Sequence, residues 1–283
     1  MDANPSRAVI GAVALTVGDL DRSLDFYQNK MGLKLQRREG LRAWLGSGDD
    51  IWLALEGVPG ARRVPKATGL YHYAVLVPSR VELAQALRHL AETGANVQGA
   101  ADHGVSEAIY LSDPDGTGIE IYRDRPREEW TRDEEGNLDM GTDELDIDGL
   151  IGELEGLPDE WPGMMAGTRV GHVHLQVANL PRAEVFYTGV LGFKLMQRYG
   201  SAAAFLSKGG YHHHVGINTW AGQGLPPPPP GSAGLRWFEV HAGSPEEREQ
   251  IAARATAAGI PLEERPDGLF LRDPSQNGIL LVA

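Results

Sequence analysis

Hydrophobic and polar positions follow the same order four times along this sequence. A mostly apolar stretch of strand length comes first, then a segment whose apolar side chains recur every three or four residues, then short stretches of alternating character. These patterns are typical of a buried strand, an amphipathic helix and half-exposed strands. We therefore predict an α+β fold made of four units, each a strand followed by a helix and further strands.

Cap and turn residues mark the ends of the elements in the first two units. Asp19 and Asp21 suit the start of a helix, and Gly32 follows its end. The predicted strands are residues 10–17, 33–37, 43–45, 51–55, 70–77, 108–111 and 119–122, and the predicted helices are residues 19–30 and 79–94. The other two units follow the same plan over residues 170–220 and 235–281.

The last two strands of the second unit form a predicted hairpin around the turn sequence DPDG at residues 113–116. Glu120 stands between Ile119 and Ile121, so strand alternation points its side chain away from both aliphatic neighbours. A carboxylate there either faces solvent, which is the commoner case, or is held by a partner inside the protein.

The chain carries an internal duplication. Gly11 recurs as Gly171, an offset of 171 − 11 = 160, and the same offset relates the Phe-Tyr pair at residue 26 to that at 186 and the Asp-Pro pair at 113 to that at 273. We therefore predict two tandem domains, residues 8–125 and 169–283. Residues 126–168 are acidic and poorly periodic apart from a short helical pattern at 150–154, and are predicted to form a linker over the surface.

Composition excludes several classes of protein. The chain has 283 residues, a formal net charge of -13 and no Cys, so disulfides, thiolate metal sites and a cysteine nucleophile are excluded. Nucleic acid and anionic membranes need a basic surface, which this charge does not supply. No apolar run approaches the ~20 residues of a spanning helix. We predict a cytoplasmic protein whose metal ligands, if any, are His, Asp or Glu.

Chemically useful residues are divided unevenly between the two copies. Those of the second unit are replaced by apolar residues in the fourth, and those of the third are replaced in the first. The pairs are His72 with Trp237, Tyr110 with Phe270, Glu120 with Leu280, His172 with Ala12, His174 with Ala14 and His213 with Leu53. One such histidine alone is more often structural than a ligand. Complementary losses, however, indicate a single site shared by the second and third units, with His72, Glu120 and His172 as metal ligands.

Several motifs together resemble those of a known family. They are GHVHLQV at 171–177, FY at 186–187, GYHHHVG at 210–216, YHYA at 71–74, HG at 103–104, and the hairpin from Tyr110 to Glu120 with a spacing of 120 − 110 = 10. Over nearly the whole chain outside the linker, the sequence resembles the vicinal-oxygen-chelate (glyoxalase/bleomycin-resistance/dioxygenase) superfamily. Within it, the sequence is similar to type I extradiol dioxygenases of the catechol 2,3-dioxygenase kind. The resemblance implies four βαβββ units in two tandem glyoxalase-like domains, with mixed sheets curled into open cups.

When the family's motifs are matched to this sequence position by position, His72 and His172 resemble the metal-binding histidines and Glu120 resembles the metal-binding carboxylate. Most relatives hold all three ligands in the C-terminal half, where this chain has Leu280 at the carboxylate position. Two arrangements therefore stay open, with the second and third units meeting within one chain or between two chains. The expected metal is Fe(II), with Mn(II) as a substitute. Two histidines and one carboxylate are the facial triad of non-haem Fe(II) oxygenases, which leaves three positions of an octahedral ion free.

Three further residues resemble catalytic groups of the family. His213 resembles the acid–base histidine, although the run of three leaves His212 or His214 open, His103 resembles a pocket histidine, and Tyr110 resembles the phenol that hydrogen-bonds the substrate. The implied reaction is cleavage by O2 of catechol or a substituted catechol next to its diol. The product would be a muconic semialdehyde, as in the catabolism of aromatic hydrocarbons. A homo-oligomer is expected.

Two other functions stay open on the same fold. A glyoxalase-like lyase or isomerase would usually add another carboxylate ligand, and the candidate positions hold Ala12 and Leu280. A metal-free protein that binds a small aromatic ligand would keep its ligand affinity when Glu120 is mutated.

Overall fold

The computed structural model describes residues 9–132, 134 and 138–283. Residue 8, the predicted start of the first domain, and residues 133 and 135–137 of the predicted linker lie outside the described residues. The elements up to residue 152 are β1 (Ile10–Val17), α1 (Leu20–Asp25), β2 (Lys34–Glu39), β3 (Arg42–Ser47), β4 (Asp50–Gly57), β5 (Gly69–Leu76), α2 (Arg80–Glu92), β6 (Val97–Asp102), β7 (Ser106–Ser112), β8 (Gly118–Asp124) and α3 (Ile147–Gly152). The elements that follow are β9 (Arg169–Gln176), α4 (Leu180–Gly189), β10 (Lys194–Tyr199), β11 (Ala203–Ser207), β12 (Val215–Asn218), β13 (Gly234–His241), α5 (Pro245–Ala257), β14 (Glu263–Arg265), β15 (Gly268–Arg272) and β16 (Gly278–Val282).

The four predicted units are arranged in two mixed sheets. The first sheet has the strand order β14-β15-β16-β13-β1-β4-β3-β2 and the second β10-β11-β12-β9-β5-β8-β7-β6. Within each unit the first strand lies parallel to the last, and the joints between units, β1 with β13 and β5 with β9, are antiparallel. Each sheet curls into an open cup. The predicted fold class is confirmed.

Each cup combines units from both halves of the chain. The first unit shares its sheet with the fourth, and the second unit shares its sheet with the third. The two copies of the duplicated sequence are therefore interleaved. Of the two arrangements left open for the candidate ligands, the structure has the one in which the second and third units meet within a single chain.

The Phe-Tyr and Asp-Pro pairs that mark the repeat have a structural role. Tyr27 donates a hydrogen bond to Asp113 Oδ2 at 3.0 Å, and Tyr187 donates one to Asp273 Oδ2 at 3.1 Å. Both phenols are fully buried, and burial, reinforced by the facing carboxylate, raises the pKa of each well above its usual value. Each bond joins the helix of one unit to the last hairpin of the next, and so connects the two sheets.

The segment between the halves, predicted as a surface linker over residues 126–168, combines exposed side chains with several buried leucines. Leu138, Leu145 and Leu150 are buried, and α3 packs against α2. Most of the described side chains of this segment are exposed, and its buried leucines pack against the rest of the protein. None of the helices in residues 9–132, 134 and 138–283 has the length and apolar character that a bilayer crossing requires.

Candidate metal centre

Three neighbouring strands, β8, β5 and β9, form the floor of the second cup, and their pairing register places the candidate ligands there. Glu120 on β8 lies opposite Ala74 on β5, and Ala74 lies opposite His172 on β9. His72, two residues before Ala74, faces the same side of the sheet by strand alternation. The methyl group of Ala74 is fully buried and leaves room between the three polar side chains.

The structure brings the three predicted ligand residues together. Oε2 of Glu120 lies 3.1 Å from Nε2 of His72 and 3.2 Å from Nε2 of His172. One nitrogen or oxygen atom of each residue lies within 4.8 Å of the others, and all three side chains are buried. A carboxylate and two imidazoles thus converge at one point inside the cup.

Burial and mutual contact set the charges of this cluster. Burial opposes the charge on Glu120, but the nearby imidazoles of His172 and His72 outweigh it and hold the pKa of Glu120 well below its usual range. Burial lowers the pKa of His172 to about 4, against the attraction of Glu120. At neutral pH the cluster therefore contains a carboxylate and a neutral His172 imidazole, the forms in which these groups bind a metal.

The donors of this cluster suit a divalent ion. Nε2 of His72 is buried and, although it lies 3.1 Å from Oε2 of Glu120, no described residue is in hydrogen-bond geometry with it, a state that costs about 1–3 kcal/mol unless something binds the atom. Metal–ligand bonds of about 2.1 Å at right angles place neighbouring ligand atoms about 3.0 Å apart. The distances of 3.1 and 3.2 Å to Glu120 are close to that spacing.

A further histidine lies beside the cluster without joining it. His174 is opposite His72 in the β5–β9 register, with ring centroids 5.1 Å apart. Its ring also lies against Gly216 of β12, where an added β-carbon would come within 2.8 Å of the imidazole. Burial, with repulsion from His72 and His172, lowers the pKa of His174 well below its usual value. It lines the cup as a neutral imidazole.

The run of three histidines before β12 places its middle member nearest to the cluster. The ring centroid of His213 lies 4.1 Å from that of His172, with the two rings tilted by 49°. Burial first, and then repulsion from His172, lower the pKa of His213 well below its usual value. The other two rings bond elsewhere, His212 to Asp124 at 3.0 Å and His214 to Ser207 at 3.0 Å.

The remaining predicted pair lies at the edge of the cup. Tyr110 is opposite Glu120 in the β7–β8 register, and its hydroxyl lies 2.6 Å from Nε2 of His103. Nδ1 of His103 is 2.8 Å from the carbonyl of Gly141, in the segment between the halves. Burial, with the charge of Glu120, raises the pKa of Tyr110. The contact of His103 with Gly141 has no sequence signal, because it depends on the path of an irregular segment.

The sequence reasoning also missed Asp124, the last residue of β8. Glu120, Tyr122 and Asp124 alternate along β8 and so face the same side of the sheet. Tyr122 bonds Tyr211 at 2.8 Å between hydroxyl oxygens. That period-two pattern in the sequence IEIYRD could have pointed to Asp124.

The family follows from the sequence match over both halves. The profile of the Glyoxalase/Bleomycin resistance protein/Dioxygenase superfamily matches residues 9–121 and 169–280. The chain belongs to this superfamily. The resemblance inferred from the motifs is thereby confirmed.

Within the superfamily, a catechol-2,3-dioxygenase of Bacillus subtilis (strain 168) is 44% identical over 269 residues, covering 94% of this chain and 93% of the relative. A lactoylglutathione lyase of Neisseria meningitidis is 31% identical over 118 residues, covering 38% of this chain and 86% of the relative. Glyoxalase I from Zea mays has a TM-score of 0.60 at 17% identity, covering 96% of this chain and 91% of that chain. The last likeness is one of fold alone.

Proposed function

We propose that this protein is an extradiol dioxygenase that opens the ring of catechol or a substituted catechol with O2, giving a muconic semialdehyde. The proposed ligands of its metal, Fe(II) with Mn(II) as an alternative, are His72, Glu120 and His172. The observation that carries the proposal is the convergence of two imidazoles on one buried carboxylate oxygen, at 3.1 and 3.2 Å. The similarity to a catechol-2,3-dioxygenase over 94% of the chain supports the same activity.

The donor set suits a reaction between two small molecules. Two imidazoles and one carboxylate are the facial triad of non-haem Fe(II) oxygenases, which leaves three coordination positions open. A bound Fe(II) ion supplies Lewis acidity and electron transfer between a chelating diol and O2. The fully buried methyl group of Ala74 and the packed rings around the triad would exclude water from this reaction.

The proposed catalytic groups move or hold protons around the triad. His213, whose ring contacts that of His172 and whose lowered pKa keeps it neutral, would accept a proton from a substrate hydroxyl and return it to the product. Tyr110 would hydrogen-bond the substrate oxygen, with His103 fixing its hydroxyl at 2.6 Å. Burial raises the pKa of Tyr110, so its hydroxyl stays protonated and can donate a hydrogen bond.

A lyase or isomerase of the glyoxalase kind is the second candidate, favoured by the 31% identity to a lactoylglutathione lyase. Such sites usually have a fourth, carboxylate ligand, and the candidate metal group among the described residues contains only His72, Glu120 and His172. The positions named for an added ligand, Ala12 and Leu280, belong to the other sheet. The donor set therefore favours the dioxygenase.

The proposal is tested by loading the metal-free protein anaerobically with Fe(II), and separately with Mn(II), then adding catechol and air. We expect one bound metal per chain and a yellow ring-fission product. Protein with confirmed iron that yields no product from catechol or any substituted catechol contradicts the proposal. Formation of lactoylglutathione by the same metal-loaded protein, when it is given methylglyoxal and glutathione instead of catechol, would favour the lyase. Light scattering on that sample measures the expected homo-oligomer, which stays a prediction, as does the cytoplasmic location.

A further inference from the structure

A chain of hydrogen bonds leads from His213 away from the candidate metal centre. Nδ1 of His213 lies 2.8 Å from Nδ1 of His212, and Nε2 of His212 lies 3.0 Å from Oδ1 of Asp124. The same Oδ1 accepts a hydrogen bond from Tyr211 at 2.9 Å. His212 has no exposed surface, so solvent does not compete for either of its nitrogens.

The direction of each bond follows from what the groups can donate. An aspartate carboxylate only accepts, so His212 donates from Nε2. A neutral imidazole carries one N–H, which leaves Nδ1 of His212 as an acceptor. His213 must then donate from Nδ1. Its own second nitrogen, Nε2, is left with a lone pair and no proton.

We infer that Asp124, acting through His212, sets the tautomer of His213, with the proton on Nδ1 and a bare Nε2. The bare nitrogen is the one that can take a proton from a hydroxyl group. This inference rests on the proposed function only in giving His213 the acid–base role. Asp124 and His212 are positioning residues, and β8 then supplies both a candidate metal ligand, Glu120, and the group that orients the base.

The tautomer can be measured without metal or substrate. Metal-free protein with 15N-labelled histidine gives long-range 1H–15N correlation spectra that distinguish protonated from bare ring nitrogens. The chain has nine histidines, and His212→Asn and His213→Asn spectra assign the two signals of interest. We expect His213 to be protonated at Nδ1 and bare at Nε2. A wild-type His213 protonated at Nε2, as a doubly protonated His212 would require, overturns the inference.

Substitution of the carboxylate tests its control of the tautomer. In Asp124→Ala and Asp124→Leu the acceptor is lost, so both variants should show a mixture of His213 tautomers. Tyr211→Phe is the matched control, because it removes a donor to the same Oδ1 and leaves the His212 bond in place. The Leu variant, similar to aspartate in size, serves if the Ala variant does not fold. An unchanged His213 tautomer in the folded Asp124 variants refutes the inference.

Turnover separates this inference from the proposed function. With Fe(II) bound at wild-type stoichiometry, we expect Asp124→Ala to lower kcat for catechol by on the order of 10–100-fold, with KM little changed. If the wild-type tautomer is as inferred but no catechol is cleaved, the proposed function fails alone. If catechol is cleaved but His213 is protonated at Nε2, the inference fails alone.

Discussion

Glu120 and His172 come from opposite halves of the duplicated chain, yet their Oε2 and Nε2 atoms lie 3.2 Å apart in the interior of one cup. The β5–β9 joint makes this possible, because Ala74 is paired with Glu120 on one side and His172 on the other. A buried carboxylate is costly unless it is paired. Its placement between two imidazoles is therefore expected of a site that binds a cation.

Glu120→Gln should abolish metal binding and with it any dioxygenase activity. The amide keeps the shape but loses the charge that a divalent ion needs, so the affinity should fall by more than the roughly 10–100-fold typical of outer-sphere changes. Metal content after dialysis measures this. Glu239→Gln is the matched control, since Glu239 contacts His241 at 3.2 Å in the other sheet. Equal metal content in the two variants would contradict the assignment.

Ala74→Leu should remove metal binding without altering a ligand. The larger side chain would fill the space between Glu120 and His172, and overpacking of this kind costs about 1–3 kcal/mol of stability. Ala43→Leu, at another fully buried alanine on β3 of the first sheet, should cost a similar amount and keep the metal. Urea unfolding and metal analysis of both proteins make the comparison. Metal retained in folded Ala74→Leu would show that the ion binds elsewhere.

Tyr27→Phe and Tyr187→Phe should each destabilise the protein by about 1–3 kcal/mol, because each leaves a buried aspartate short of a donor. The two costs should be alike, since the bonds to Asp113 and Asp273 measure 3.0 and 3.1 Å. Urea denaturation gives the free energies of unfolding. A loss in one variant only would mean that the two copies are not equivalent in packing.

The metal-free protein should lose stability as the pH falls below 6.5. Burial, then repulsion from neighbouring imidazoles, lowers the pKa of His214 from 6.5 to about 3. Between these values the unfolded chain binds a proton at this residue and the folded chain does not, so stability rises with pH by about 1.4 kcal/mol per unit for this group.

His214→Gln isolates that contribution. The Gln oxygen can still accept the Lys208 N–H bond that Nδ1 of His214 accepts at 3.2 Å. Between pH 4 and 6, the slope of unfolding free energy against pH should therefore fall by about 1.4 kcal/mol per unit. An identical slope in wild type and variant would mean that His214 is charged in the folded protein.

Most of the helices, strands and candidate ligands could be predicted from the sequence. The helices and strands are marked by local hydrophobic patterns, and the ligands are marked by differences between the two copies of the repeat. Hydrophobic periodicity located β1 and α2, and comparison of the copies singled out Glu120, whose counterpart is Leu280. β6 was not located, because Val97–Asp102 is short, partly exposed and weakly alternating. The π-helical turn over Phe26–Lys30 was not located either, since it differs from an α-helix only in hydrogen-bond spacing.

Comparison of the copies also predicted that the second and third units share a site. Whether these units meet within one chain or between two could not be predicted, because the strand patterns are the same in both cases. That choice depends on connections and packing across the whole molecule. The contact between His103 and Gly141 belongs to the same class, because nothing in the local sequence of either residue specifies it.

The interleaved sheets also fix an order of events during synthesis. β5 gains its neighbour β9 once residue 176 has been made, whereas β1 needs β13, so Ile10 waits for Val240 over 240 − 10 = 230 residues. Of the described strands, β1 leaves the ribosome first and is thus among the last to be paired on both edges, and it presents an open edge to other chains in the meantime. The cup with the candidate metal centre is complete first.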